Sequence, residues 1–107
     1  MVIVFITCKN QKEAQKIGLA LLKKRLAACI GLIPKASSIY FWPPRKSRIQ
    51  KSKEVILLVD TVGKKFWQIE KEVKRLHSYQ TPCIIEIPIS RVHKPYLKWL
   101  EQEINYE

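Results

Sequence analysis

The apolar positions of this sequence predict four strands, each a run of β-branched and apolar residues bounded by polar or turn-forming ones. The first run, Val2 to Thr7, does not alternate with polar residues, which is typical of a strand buried on both faces. The second run is long, and Gly31 and Pro34 should bend it because proline cannot donate a ladder hydrogen bond. The four predicted strands cover residues 2–7, 29–42, 54–61 and 81–89.

Apolar residues at helical spacing predict three helices between and after these strands. Asn10 offers a side-chain N-cap, and Glu13 three positions later completes a capping-box pattern ahead of an amphipathic stretch. A second amphipathic pattern covers residues 66–78. Pro95 suits the first turn of a short last helix that ends near residue 104.

The order β, α, β, β, α, β, α predicts an α+β fold, a ferredoxin-like split βαβ sandwich with a long hairpin between the second and third strands and a short C-terminal helix. Two helices would then cover one face of a four-stranded antiparallel sheet. We expect a single domain over residues 1–107. The opposite sheet face would expose apolar side chains, so self-association is the simplest cover.

The charge balance adds a possible anionic partner to this picture. Twenty Lys and Arg against nine Asp and Glu leave a formal charge of +11, which either attracts an anion or keeps the surface soluble. The N-terminal run lacks a signal-peptide pattern, and no apolar run reaches the roughly 20 residues of a membrane helix. We therefore expect a cytoplasmic protein without a membrane partner, its three cysteines present as reduced thiols.

Four segments along the chain carry a family resemblance. They read KRLAAC at residues 24–29, SIYFW at 38–42, LHSYQTP at 76–82 and PYLKWL at 95–100. In this order and spacing they resemble the CutA family over essentially the whole chain. The resemblance implies a ferredoxin-like subunit, a homotrimer formed by strand pairing, and a part in tolerance of copper and other divalent cations. It implies no catalytic mechanism.

The sequence departs from the family pattern at three places. Ser78 stands between His77 and Tyr79, where the family usually has proline. The turn after Trp42 is basic instead of acidic, and the hairpin is a few residues longer. Cysteine often precedes the threonine that ends the first strand in the family, whereas here Cys8 follows it; since strand side chains alternate, this shift of two could keep the same face.

His77 and Cys8 are the candidate metal ligands. Thiolate favours copper(I) or zinc, and imidazole suits several transition metals. The sequence contains no Cys-x-x-Cys pair and no histidine pair at helical spacing, and Cys29 and Cys83 are better explained as small buried side chains. His77 has an alternative explanation, because a helix C-terminus favours a histidine that can become cationic.

Four further residues are candidates for lining a pocket that lies between subunits. They are Tyr40, Trp42, Glu54 and Tyr79. Aromatic side chains on strands also pack across a sheet or an interface, and that alternative remains open. No residue set suggests a nucleophile with a base and an orienting acid, so we predict a protein that is not an enzyme and requires no cofactor.

Nucleic-acid binding is the alternative function. Five cations concentrate on the hairpin next to three aromatic residues, so phosphates could be held while bases stack. The chain lacks the aromatic signature of RNA-binding domains of this fold, and a solvated basic hairpin is the competing explanation. The cations are Arg45, Lys46, Arg48, Lys51 and Lys53.

Overall fold

The structure, a computed structural model, describes residues 1–105. The strands are β1 Val2–Cys8, β2 Cys29–Phe41, β3 Ile49–Thr61 and β4 Ile84–Pro88. The helices are α1 Gln11–Lys23, α2 Phe66–Leu76 and α3 Lys94–Ile104. None of the described helices has the length and apolar character needed to span a bilayer.

The four strands form one antiparallel sheet in the order β2-β3-β1-β4, which confirms the predicted ferredoxin-like arrangement. In the central pair, Ile6 lies opposite Leu57 and Cys8 opposite Val55. All four of these side chains are buried. Cys8 therefore stays on the same, helix-covered face as Ile6.

The core lies between this sheet face and the helices α1 and α2. Ile17 and Leu21 of α1 and Ile69 and Val73 of α2 are completely buried against β1 and β3. Because these side chains recur at helical spacing, the amphipathic pattern alone placed both helices on the sheet.

The hairpin of β2 and β3 differs from the prediction at one boundary. β3 begins at Ile49, five residues before the predicted start at Glu54, so the last part of the basic segment, with Lys51 and Lys53, is part of the strand. Its residues pair regularly with β2, as Tyr40 does with Gln50. The predicted bend of β2 appears as a register shift between Ile33 and Ala36. Backbone pairing extends β3 where side-chain burial gave no signal.

The other sheet face is covered in part by α3. The Tyr96 hydroxyl donates a hydrogen bond of 2.5 Å to Asp60 of β3, and Leu100 of α3 is buried. Away from this helix, Ile85 and Ile87 of β4 remain 50% and 40% exposed. A third helix thus shares the cover that was expected from self-association alone.

Candidate functional site

Glu13 joins three segments of the chain at the start of α1. The Asn10 side chain accepts the Glu13 N–H at 2.8 Å, so the predicted cap is present. One carboxylate oxygen of Glu13 accepts the Lys9 N–H and the other accepts the Ser78 N–H, both at 3.0 Å. Burial alone would raise the pKa of Glu13, but the hydrogen bonds from Lys9 and Ser78 hold it below its ordinary value.

His77 ends α2 and turns its ring towards the end of β1. Its Nε2 lies 2.7 Å from the Thr7 carbonyl oxygen, and its Nδ1 accepts the Tyr79 N–H at 3.0 Å. Since a carbonyl can only accept, Nε2 carries the proton and the ring is the neutral tautomer. The side chain is completely buried. Both ring nitrogens are therefore used by the protein itself.

Cys8, Glu13 and His77 form a cluster in which the potential ligand atoms all lie within 4.8 Å of one another. The structure thus brings together the two predicted ligands and adds Glu13, which the sequence indicated only as a helix cap. Burial raises the pKa of Cys8 to about 12, and the charges of Glu13 and Glu54 contribute. The thiol is protonated at neutral pH.

Glu54 lies at the centre of a second group of polar side chains. It is only 6% exposed, and its oxygens accept hydrogen bonds from the Ser38 hydroxyl and, at 2.9 Å, from the Tyr79 hydroxyl. Burial and the neighbouring Glu54 carboxylate raise the pKa of Tyr79. Tyr40 lies beyond this group and shares a hydrogen bond of 2.6 Å with Ser52.

Trp42 is not joined to this group. Its backbone donates a hydrogen bond to the Arg48 carbonyl and accepts one from the Gln50 side chain near the hairpin tip. Of the four predicted pocket residues, Glu54 and Tyr79 are in direct contact and Tyr40 is a neighbour, whereas Trp42 belongs to the exposed end of the hairpin.

Tyr79 connects the two groups. Its N–H bonds to His77, its hydroxyl bonds to Glu54, and the rings of His77 and Tyr79 lie 4.7 Å apart between centroids. The end of β1, the end of α2 and the base of the hairpin are therefore linked by continuous hydrogen bonds. Such a network can position a cation ligand set, and it also stabilises the fold at this junction.

The donor set of the cluster suits a transition metal, but its lone pairs are engaged. Sulfur, imidazole nitrogen and carboxylate oxygen are the ligand types of zinc and copper sites. Binding would require a proton to leave Cys8 and the Tyr79 N–H to release the Nδ1 of His77. An ion would therefore bind at the expense of existing interactions.

The basic hairpin carries six cations and, from residue 35 to residue 53, no acidic residue. Within the described part of the chain, none of these cations lies within ion-pair distance of a carboxylate. Its apolar side chains are also accessible, with Phe41 70% and Ile39 68% exposed. The cations are Lys35, Arg45, Lys46, Arg48, Lys51 and Lys53.

Known proteins share both the sequence and the fold. The family model of the CutA1 divalent ion tolerance protein matches residues 2–103. A divalent-cation tolerance protein CutA from Archaeoglobus fulgidus is 38% identical over 94% of this chain and 95% of its own length. Mouse protein CutA is 37% identical over 92% of this chain, which spans 54% of the mouse protein.

Solved structures give the same result. One from Archaeoglobus fulgidus, bearing the name periplasmic divalent cation tolerance protein CutA, has a TM-score of 0.92 at 37% identity and covers 98% of this chain and 100% of that one. Another from Thermus thermophilus has a TM-score of 0.87 at 37% identity, covering 94% and 95%. This chain belongs to the CutA1 divalent ion tolerance family.

Proposed function

We propose that this divalent-cation tolerance protein is a non-enzymatic homotrimer that binds copper or another transition-metal ion weakly at Cys8, Glu13 and His77. The observation that carries the proposal is the convergence of sulfur, oxygen and nitrogen donors within 4.8 Å. The weakness follows from the protonated thiol and from the hydrogen bonds that already use the ring of His77.

Calorimetric titration with Zn²⁺ and with Cu⁺ tests this site under conditions that keep the thiols reduced. Cys8→Ser keeps the size of the side chain and removes the soft ligand, so we expect metal affinity to fall at least tenfold. Cys83→Ser is the matched control, because Cys83 is another free thiol near Glu54, half-buried and outside the cluster. His77→Ala is a second test, with its fold verified by circular dichroism. Identical binding by the parent and Cys8→Ser proteins would contradict the proposed site.

Self-association is supported by the two edge strands and by the apolar side chains that they leave accessible. β2 and β4 are the sheet edges, and an unpaired edge is a template for another strand. Ile33, Ile85 and Ile87 are each at least 40% exposed. A closed ring of three copies would satisfy each edge equally. Light scattering should give three times the 12.6 kDa chain mass, and a well-folded monomer at micromolar concentration would refute the trimer.

The absence of catalysis is proposed from the chemistry of Cys8. A cysteine beside histidine and glutamate suggests a nucleophile with a base, but a catalytic thiol needs a lowered pKa and access to substrate. Cys8 has a raised pKa and is completely buried, and His77 directs its nitrogens to Thr7 and Tyr79. Rapid alkylation of Cys8 by iodoacetamide in the native protein would argue against this assignment.

We place the protein in the cytoplasm. Three free cysteines are typical of proteins that work in a reducing compartment. The Archaeoglobus relative is described as periplasmic, so the assignment needs its own experiment. Fractionation of the native host, followed by immunoblotting, should recover the protein with cytoplasmic markers; recovery with periplasmic markers would reverse it.

A second candidate function is single-stranded nucleic-acid binding by the basic hairpin. Its cations have no carboxylate partner among the described residues, and Tyr40, Phe41 and Trp42 offer exposed aromatic faces beside them. Affinity for an oligonucleotide should fall steeply as salt rises, because phosphate contacts release counterions. If no binding occurs at low salt, this function is excluded.

A further inference from the structure

A basic groove lies between the end of α1 and the length of α2, and it shares no lining residue with the Cys8 cluster or the basic hairpin. Its volume is about 470 Å³. Four of its lining residues are cations and only one is an acid; the seven are Lys24, Leu26, Lys65, Gln68, Lys71, Glu72 and Arg75. Four positive charges against one negative leave a surplus of three, so the local potential attracts an anion.

Glu72 is the buried anchor of this groove. Its side chain is 3% exposed, and its Oε1 accepts a hydrogen bond of 2.6 Å from Nε of Arg75. Nη2 of Arg75 lies 2.6 Å from the same oxygen as an ion pair. Its Oε2 contacts the ammonium group of Lys24. The hydrogen bond from Lys24, followed by that from Arg75, lowers the pKa of Glu72 against the effect of its burial. One ionised carboxylate thus holds two cations in fixed positions.

These two cations keep donors available for a ligand. Their side chains are 57% exposed at Lys24 and 62% at Arg75. A guanidinium has five N–H donors and an ammonium has three, so the contacts with Glu72 leave unused donors on each. Because Glu72 already restrains the side chains of Lys24 and Arg75, they lose less conformational freedom when an anion binds.

Lys65 and Lys71 supply the remaining charge. Neither lies within ion-pair distance of a carboxylate in residues 1–105. Lys71 and Arg75 are four positions apart on α2, where like charges are mutually destabilising. An anion between them would relieve this repulsion.

We propose that the groove binds a multiply charged phosphate group, a di- or triphosphate. Lys24 and Arg75, held by Glu72, form the fixed part of the site, and the flexible side chains of Lys65 and Lys71 close on the ligand. A surplus of three positive charges matches such a group better than it matches a single carboxylate. The planar guanidinium of Arg75 can also donate two parallel hydrogen bonds to two oxygens of one phosphate.

Titration of the metal-free protein with inorganic pyrophosphate at low salt tests the site. The double variant Lys65→Gln/Lys71→Gln should weaken binding at least tenfold. The double variant Lys16→Gln/Lys98→Gln removes the same charge at exposed positions outside the groove and the hairpin, and should change affinity less than twofold. Equal weakening by both would show attraction to net charge only, and a parent protein without saturable binding would refute the groove outright.

Glu72→Gln separates positioning from charge. The variant gains one positive charge, so simple attraction predicts tighter binding, whereas loss of the anchor predicts weaker binding of pyrophosphate. Stronger binding would overturn the role of Glu72. A parallel titration with ATP distinguishes the sources of the phosphate: binding of both ligands is expected, and binding of ATP without pyrophosphate would overturn recognition of the phosphate group. None of these variants touches Cys8 or His77, so failure here leaves the metal site standing.

Discussion

Replacing Glu13 by glutamine tests whether its carboxylate stabilises the fold or serves only as a metal ligand. Glu13 is 8% exposed and accepts N–H groups from Lys9 and Ser78 on its two oxygens. Glutamine has nearly the same shape but only one acceptor oxygen, so its amide NH₂ must face one of these N–H donors. If the carboxylate is part of the fold, Glu13→Gln destabilises the protein even when every metal ion has been removed.

The expected loss is about 2–3 kcal/mol. A hydrogen bond to a charged group contributes about 1.5–3 kcal/mol, and a neutral one about 0.5–1.5 kcal/mol. The substitution exchanges two bonds of the first kind for one of the second and leaves a donor unsatisfied. We take the lower part of the resulting range because the site retains some contact with solvent. This is a large fraction of the ordinary stability of a domain, about 5–15 kcal/mol.

Denaturant unfolding in the presence of a chelator measures this loss, at one fixed protein concentration because association alters apparent stability. Glu101→Gln, on the exposed side of α3, is the control and should shift stability by less than about 0.5 kcal/mol. The low pKa of Glu13 means that its stabilisation is present above the unfolded value of 4.5 and is lost as pH falls through the folded value. The parent and variant curves should therefore converge in acid. A loss below about 0.5 kcal/mol at neutral pH would refute the structural role.

Three other substitutions have defined outcomes. A Cβ at Gly18 would lie 2.2 Å from Cδ1 of Ile30, so Gly18→Ala should lose about 1–2 kcal/mol by thermal or denaturant unfolding. The loss should be smaller in an Ile30→Val background, which removes Cδ1 but keeps the Ile30 carbons that lie 3.3 and 3.4 Å from the new Cβ; an equal loss in both backgrounds would contradict this. Thr61→Val removes a buried 2.6 Å hydrogen bond to the Leu26 carbonyl and should cost about 1–3 kcal/mol, whereas a loss near zero would mean that the carbonyl finds another donor. Because the pKa of Cys8 rises from 9.0 to about 12 on folding, the native thiol retains its proton more tightly and stability should decline between these pH values; Cys8→Ser should flatten that decline.

The fold was predictable where burial imposes a period on the sequence. The Asn10 cap and the buried faces of α1 and α2 appear directly as spacing. The start of β3 could not be predicted from spacing. Residues 49–53 extend beyond the core, where charged side chains need not alternate with apolar ones. In that region the strand is held by backbone pairing with β2, which leaves little mark on composition.

The candidate site was predictable only in part, since its key contacts join distant parts of the chain. Cys8 and His77 were recognised as possible ligands from their chemistry. Glu13 had a local explanation as a cap, and nothing in the sequence shows that its second oxygen accepts the N–H of Ser78, 65 positions away. The engagement of both His77 nitrogens is likewise a tertiary property. The available signal for Glu13 was the position of the Asn10 cap, two residues after Cys8 at the end of β1. So short a connection places the first turn of α1, and with it Glu13, beside Cys8.

Ser78 has an evolutionary consequence because its backbone N–H is a donor that proline lacks. Where the family pattern usually places proline between the histidine and the tyrosine, no hydrogen bond from that position to an acidic residue is available. In this chain the N–H of Ser78 bonds to Glu13, so the two residues form a dependent pair. Proline at 78 would leave the Glu13 carboxylate short of a donor. We expect such positions to show epistasis: each substitution is tolerated only on the matching background, so that lineages exchange both residues or neither.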